Sequence, residues 1–314
     1  MDDRMIPPPQ PSWAHRNGFA DAGLSMLWLL AAFLLFQLTA GLVSAALLAA
    51  SGELTAQSDL MEVMMRRVDL VFIGNSTGQI LFLGLATFGV VKLHLESGMP
   101  RRRYLRVRAM PGTGRFIALG AALFIVVQPF VWFLGWANSQ LPFPETWTDL
   151  QRSQYELIEG FLRRDANLAA ALFNVSVVPA LCEEVLFRGY LLRSFERSFK
   201  TVTAILASGF LFGMYHVQPA NLLPLATLGI LLGLVTWASG SIWPAVVAHF
   251  INNAGAVLAV TFFPDSLASE MSSETMPPVW LAAASLAVSV VLVRMLIRDA
   301  KARRNETERA DVAV

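Results

Sequence analysis

The class of fold is set by residues 168–192, which read LAAALFNVSVVPALCEEVLFRGYLL. The segment is long enough to cross a hydrocarbon core, because a transmembrane helix needs about 20 predominantly apolar residues. It nevertheless carries Glu183, Glu184 and Arg188. Ionisable groups are costly at membrane depth unless they face a polar interior and find partners there, so their presence indicates a functional site.

Composition extends this interpretation to the whole chain of 314 residues. Hydrophobic residues make up 55% and charged residues 15% of the sequence, and the mean hydropathy is +0.54. These values are typical of a membrane protein. The formal net charge of +1 gives no indication of a nucleic-acid partner. The single cysteine, Cys182, excludes an internal disulfide and a zinc-thiolate cluster.

The apolar runs predict an all-α membrane protein, a polytopic bundle of about eight transmembrane helices. The fifth and sixth runs are short, so one of them is alternatively a re-entrant segment. Residues 152–164 mix apolar and charged side chains, which predicts either an amphipathic helix at the membrane interface or an ordinary connecting helix. The predicted spans lie near 24–50, 69–91, 116–137, 168–192, 202–217, 222–239, 243–263 and 279–297.

Lysine and arginine predict the orientation, because cytoplasmic loops hold most of these residues. With eight spans and a cytoplasmic N-terminus, 19 of the 24 basic residues fall on the inner side and five on the outer side. We therefore expect a multi-pass protein of the bacterial cell (inner) membrane with both termini in the cytoplasm. We divide the chain into residues 1–150 with the first three spans, residues 151–263 with the next four, and residues 264–314 with the last span and a basic cytoplasmic tail.

The acidic pair in the fourth span predicts a division of roles. Glu184 and Arg188 are four residues apart, a spacing at which opposite charges meet on one helix face, whereas Glu183 points about 100° away. Arg188 would then hold Glu184 and leave Glu183 as a base. Pro179, four residues before Glu183, removes one helical hydrogen bond and favours an opened turn. The alternative is a buried ion pair that only fixes helix packing.

Two histidines in later spans favour a functional site. His216 follows Phe212 by four residues and His249 precedes Asn253 by four, so each histidine shares a helix face with its neighbour. If the fourth and fifth spans form a hairpin that turns near residue 200, Glu183 and His216 lie at one level, roughly 25 Å from the tip. The sequence therefore predicts an intramembrane polar active-site chamber, nearer the cytoplasmic side.

The motifs Glu-Glu-x-x-x-Arg (183–188), Phe-x-x-x-His (212–216) and His-x-x-x-Asn (249–253) together resemble a known family. This is the CAAX-protease and bacteriocin-processing (CPBP, Abi) family of intramembrane proteases, which includes the type II CAAX prenyl endopeptidases. The resemblance covers about residues 165–260. It implies an intramembrane endopeptidase that hydrolyses peptide bonds of membrane-associated proteins or peptides, prenylated CAAX-type substrates among them.

The resemblance also implies roles for individual residues. Glu183, assisted by His216, would activate the attacking water, and His249 with Asn253 would stabilise the oxyanion. Glu184 completes the catalytic set, while Arg188 and Phe212 would support the site. The expected partners are the substrate and the lipid bilayer, and the sequence specifies no oligomeric state.

The need for a metal ion stays open. Two histidines and a glutamate form a known catalytic zinc set, so Glu183, His216 and His249 are candidate ligands of Zn²⁺. The same side chains would also bind water directly, as in a glutamate-dependent protease. No His-Glu-x-x-His helix is present to decide between a metalloprotease and this second type.

Other functions fit parts of the pattern. A non-catalytic membrane chaperone or partner-binding protein would keep the motifs without hydrolysis, and an ion- or proton-coupled transporter would use the buried charges as relays.

Residues 74–78 match the Gly-x-Ser-x-Gly pattern of serine hydrolases, but they lie in a helical run, which favours a packing role for Gly74 and Gly78. Cys182 is expected to be an inert buried side chain.

Overall fold

The computed structural model describes residues 10–53, 59–163, 168–263 and 276–312, and every regular element in these ranges is a helix. Three short helices, Trp13–Arg16, Leu60–Arg66 and Arg101–Tyr104, lie in connections. The longer helices are α1 (Asp21–Ala50), α2 (Val68–His94), α3 (Thr113–Val126), α4 (Gln128–Ser139), α5 (Glu145–Arg163), α6 (Leu168–Ser198), α7 (Thr201–Tyr215), α8 (Pro219–Ser239), α9 (Trp243–Phe262) and α10 (Val279–Val312).

Six of these helices are long and apolar enough to cross a membrane: α1, α2, α6, α8, α9 and α10. Helices α3 and α4 form a seventh span if the pair is counted as one, and they are bent by 47° where Pro129 interrupts the hydrogen-bond ladder. We predicted residues 116–137 as one continuous span, and that prediction was wrong because the helix is broken at Pro129. The chain is a multi-pass, all-α membrane bundle.

The predicted fifth span, 202–217, is observed within two residues at either end as α7, Thr201–Tyr215. Helix α7 has 15 residues, so it is about 22 Å long at 1.5 Å per residue. That length is less than a hydrocarbon core of about 30 Å. The expected count of eight crossings is thus approximate, because α7 cannot cross the membrane alone.

Helix α6 is built from alternating α-helical and π-helical segments. Its central α-helical segment, Val178–Glu184, lies between the π-helical segments Phe173–Val177 and Val185–Leu191. Pro179 lies where the first π-helical segment joins the central segment, inside a continuous helix, and its missing N–H removes one helical hydrogen bond there. The π-helical segments change the direction in which successive side chains point, and such segments are frequent at functional sites.

Helices α7 and α8 approach each other through glycine. A Cβ atom on Gly209 would lie 2.5 Å from the backbone nitrogen of Ile230, and one on Gly213 would lie 2.8 Å from that of Ala226. No side chain fits at those distances, so glycine is required for this contact. The close packing places the C-terminal end of α7 over α6 and α8.

The remaining helices enclose this central part. Helix α1 packs along α2, α9 contacts α3, α6 and α8, and α10 lies against α3, α4 and α8. The segment predicted at 152–164 belongs to α5, which contacts the bundle where the Phe161 ring stacks on Phe72 with centroids 4.3 Å apart. Residue 164 lies outside the described residues. The three-part division of the chain and its orientation in the membrane stay predictions.

Candidate active site

The predicted site residues surround one cavity inside the bundle, with a volume of about 250 Å³. Glu183 from α6, His216 at the end of α7, and His249 and Asn253 from α9 all line it. These four side chains come from three helices that are distant in sequence. Glu184 and Arg188 are fully buried beside the cavity and do not line it.

The two adjacent glutamates have different surroundings. Glu183 is 6% exposed, and its Oε2 atom has no hydrogen-bond partner among the described residues. Glu184 is held by two donors, since its Oε1 lies 3.1 Å from Nη1 of Arg188 and 3.0 Å from Nδ1 of His249. The Oε2 atom of Glu184 also has no partner among the described residues, but Glu184 does not line the cavity, so Glu183 is the carboxylate that a molecule in the cavity can reach.

Arg188 connects the helices behind the cavity. Its Nη1 donates to Glu184, and its Nη2 donates to the backbone oxygen of Gly229 on α8 at 2.9 Å. The guanidinium carbon lies 4.3 Å from the ring centroid of Phe212 on α7, a cation–π distance. One buried side chain therefore fixes α6, α7 and α8 relative to one another, and through Glu184 it also positions His249.

His216 has one ring nitrogen occupied by the protein. Its Nδ1 lies 2.8 Å from the backbone oxygen of Phe212, an acceptor, so the neutral ring carries its proton on Nδ1 and keeps a lone pair on Nε2. The Phe212 ring lies 4.8 Å from the His216 ring and 5.8 Å from the His249 ring, edge to face in both cases. Phe212 is a wall between the two imidazoles.

Amide hydrogen bonds hold Asn253 beside His249. Its Nδ2 lies 3.3 Å from His249 Nε2 and donates to the backbone oxygen of Val175 at 3.0 Å. Its Oδ1 accepts from Asn252, whose own Oδ1 accepts from Gln128 of α4 at 3.1 Å. This chain of amides fixes the orientation of the Asn253 side chain at the cavity wall, with one N–H on Val175 and the other toward His249.

The candidate zinc ligands are not grouped. Within the described ranges, no three His, Cys, Asp or Glu side chains are close enough together to hold a metal ion. The Nδ1 bonds of His249 to Glu184 and of His216 to a backbone carbonyl leave the Nε2 atoms as the ring nitrogens that could bind an ion. As placed, Glu183, His216 and His249 do not form a tetrahedral ligand set.

The cavity also has walls that the sequence analysis did not assign. Asn75 and Gln79 of α2 and Asn174 of α6 line it. The available signal was the four-residue spacing of Asn75 and Gln79 in an apolar run, where the sequence analysis assigns a role only to the glycines. Ser76, in the Gly-x-Ser-x-Gly pattern, lies inside a helix and donates to Asn174 Oδ1 at 2.6 Å. It is not at a strand-to-helix turn.

Comparison with known proteins identifies one family. Residues 165–255 match the family model described as Type II CAAX prenyl endopeptidase Rce1-like. The match contains all three motifs and confirms the resemblance found in the sequence, although it covers less than a third of the chain. At the level of the family it indicates a CAAX-type intramembrane endopeptidase, hence a hydrolase. No curated protein and no solved structure matches the chain.

Proposed function

We propose that this protein, similar over residues 165–255 to type II CAAX prenyl endopeptidases, is an intramembrane endopeptidase that uses a water activated by Glu183 and His216. One observation carries the proposal. A buried glutamate with an unpartnered oxygen lines the same cavity as two histidines and an asparagine. Buried polar atoms without partners are rare, and they are explained when a ligand or water completes them.

Glu183 is the proposed general base. Water in the cavity would donate one hydrogen to the Glu183 carboxylate and the other to Nε2 of His216, which the Nδ1 bond to Phe212 leaves as an acceptor. As the water oxygen attacks the scissile carbonyl carbon, its proton passes to Glu183. When the C–N bond breaks, Glu183 returns that proton to the amine nitrogen.

Asn253 and His249 are the proposed oxyanion donors. One Nδ2 hydrogen of Asn253 is donated to Val175, and the other faces His249 Nε2 at 3.3 Å. Protonation of His249 at Nε2 would free that second hydrogen for the oxyanion. A protonated His249 would donate to the developing negative charge, and Glu184 at Nδ1 would stabilise that imidazolium. Fixed donors of this kind contribute most where water is excluded. Glu184 and Arg188 then act by positioning His249.

The proposed substrates are membrane-associated proteins or peptides, with prenylated CAAX-type proteins as the class that the family match favours. We place the protein in the bacterial cell membrane with both termini in the cytoplasm. This arrangement needs an even number of crossings, so it counts α7 together with the residues after it as the eighth, and 19 of 24 basic residues then fall on the cytoplasmic side.

Metal dependence separates two versions of the mechanism. The steps above use only side chains, because the three candidate ligands are not grouped in the described part of the chain. The glutamate-dependent version predicts unchanged activity after chelation and no stoichiometric metal in the purified protein. The zinc version predicts loss of activity on chelation and its return on addition of Zn²⁺.

The decisive experiment is turnover of a fluorogenic prenylated peptide and a panel of membrane peptides by protein reconstituted in liposomes. We expect Glu183→Gln, which removes the base without changing side-chain size, to lower kcat by at least about 10²-fold. Glu156→Gln, an exposed residue of α5, is the matched control and should be unaffected. Equal turnover by Glu183→Gln and wild type would refute the protease, and an intact cellular phenotype in that variant would favour the chaperone alternative.

A further inference from the structure

We propose that Gln79 and Asn75 of α2 form the substrate-backbone wall of this cavity, with the Gln79 side-chain carbonyl accepting a backbone N–H of the substrate near the scissile bond. The inference rests on the proposed function, because it assigns a substrate contact to the same cavity. Both residues lie outside residues 165–255, so the family match assigns them no role.

The two amides share a cavity with the proposed catalytic groups. Asn75 and Gln79 line it together with Glu183 and His216. They are four residues apart, so they project from one face of α2. A peptide bound against Glu183 would therefore lie beside this face.

The face is held in place by packing on the other helices. A Cβ atom on Gly74 would lie 2.6 Å from the backbone oxygen of Ala40 in α1, and one on Gly78 would lie 2.6 Å from that of Phe36. Such contacts allow neither a larger residue nor a rotation of α2. Ser76 ties the same turn to α6 through its 2.6 Å hydrogen bond to Asn174. The orientation of the amide face is thus fixed before a substrate binds.

Gln79 has an unused hydrogen-bonding atom. Its side chain is 6% exposed, and its Oε1 has no partner in the part of the chain that the structure describes. A buried carbonyl oxygen without a partner reduces stability, and an N–H donated to it by a bound substrate would remove that cost. The π-helical segment Gln79–Ala86 begins at this residue, and π-helical turns are often found at functional sites.

The chemistry of a primary amide suits a peptide backbone. Water in the cavity must reach the scissile carbonyl, so the substrate segment around that bond cannot be helical. The backbone N–H and C=O groups of that segment therefore have no helical hydrogen-bond partners. A neutral amide offers both a donor and an acceptor without adding charge. Because it contacts the main chain, this wall should bind substrates of different sequence.

The test combines variants with backbone-modified substrates. Peptides with one N–H at a time replaced by an ester oxygen, over three residues on each side of the cleaved bond, are assayed on wild type, Gln79→Met and Gln140→Met. Gln140 is exposed at the end of α4 and serves as the matched control. We expect the kcat/KM of wild type to be about tenfold lower on one of the esters than on the all-amide peptide. That factor corresponds to the loss of one hydrogen bond.

Gln79→Met should lose about the same factor on the all-amide peptide, mainly through a higher KM, and should lose nothing further on that ester. Its Tm should equal or exceed that of wild type, because the substitution removes an unpartnered buried oxygen. The proposal would be overturned if Gln79→Met lost as much activity on that ester as wild type does. It would also be overturned if the Tm of Gln79→Met were clearly lower than that of wild type. Asn75→Ala, run through the same series, provides a second variant.

A binding arm separates this inference from the proposed function. In the Glu183→Gln background, affinity for the same amide and ester peptides is measured by fluorescence anisotropy in nanodiscs. If wild type cleaves none of the peptides, the proposed function fails, while the Gln79 contact is still decided by whether Gln79→Met removes the ester effect on binding.

Discussion

Removing Arg188 should destabilise the protein mainly through the carboxylate that it leaves behind. Both Arg188 and Glu184 are fully buried and lie 3.1 Å apart, and Arg188 also donates to Gly229. In Arg188→Met the long apolar side chain fills most of the space, so cavity formation contributes little. What remains is a buried glutamate without its cation.

The loss of stability in Arg188→Met can be estimated from buried ion pairs in other proteins. Breaking one by removing a single partner costs about 3–5 kcal/mol, because an uncompensated charge stays in a medium of low dielectric constant. In the double variant Arg188→Met/Glu184→Gln the charge is gone, and the new amide oxygen still accepts from His249. That variant should cost only about 1–3 kcal/mol, so the second substitution should restore about 2 kcal/mol.

Unfolding by denaturant in mild detergent, followed by tryptophan fluorescence, measures these differences. Arg152→Met is the matched control, since Arg152 is 73% exposed and lies 3.9 Å from Asp149, and it should change stability by less than about 0.5 kcal/mol. If the double variant were as unstable as Arg188→Met, the buried charge would not be the cause and the reasoning would be wrong.

Three further predictions follow from single contacts. Asn253→Ala should lower kcat about 10²–10³-fold with little change in KM, because it removes an oxyanion donor, and an unchanged initial rate would contradict that role. Val217→Gly should raise the free energy of unfolding by about 1 kcal/mol, because Val217 has a φ of 53°, which is strained for a β-branched residue. A lower Tm in this variant would be evidence against strain. Gly213→Val should cost about 1–3 kcal/mol through overpacking against Ala226, whereas Gly255→Val, with nothing within 4 Å of its Cβ, should not.

Much of the architecture was predictable from local patterns. Long apolar runs predicted the helical spans because each crossing must satisfy its own backbone in lipid. The ends of the helices were less predictable: α7 ends at Tyr215, two residues before its predicted end, and Val217 in the turn that follows has a positive φ. The bend between α3 and α4 could have been predicted from Pro129, because proline breaks the helical hydrogen bonds. The hydropathy pattern alone does not show it, because the run is apolar on both sides of the proline.

The site was predictable as a set of residues and not as a set of contacts. Spacing of four placed Glu184 with Arg188 on one face, and the structure has that hydrogen bond. Helical spacing gave no sign that His249 would bind the same Glu184 oxygen through Nδ1. That contact depends on the packing of α9 on α6.

The amino-acid sequence alone determined the membrane class, the approximate number of helices and the identity of the motif residues, because these follow from hydropathy and from periodicity within one helix. Only the tertiary structure decided which glutamate lines the cavity, which ring nitrogens are occupied, and that Gln79 lines the same cavity as Glu183. Those facts depend on glycine contacts and π-helical turns that rotate whole helix faces. Residues about a hundred positions apart meet through such rotations, and no local pattern records them.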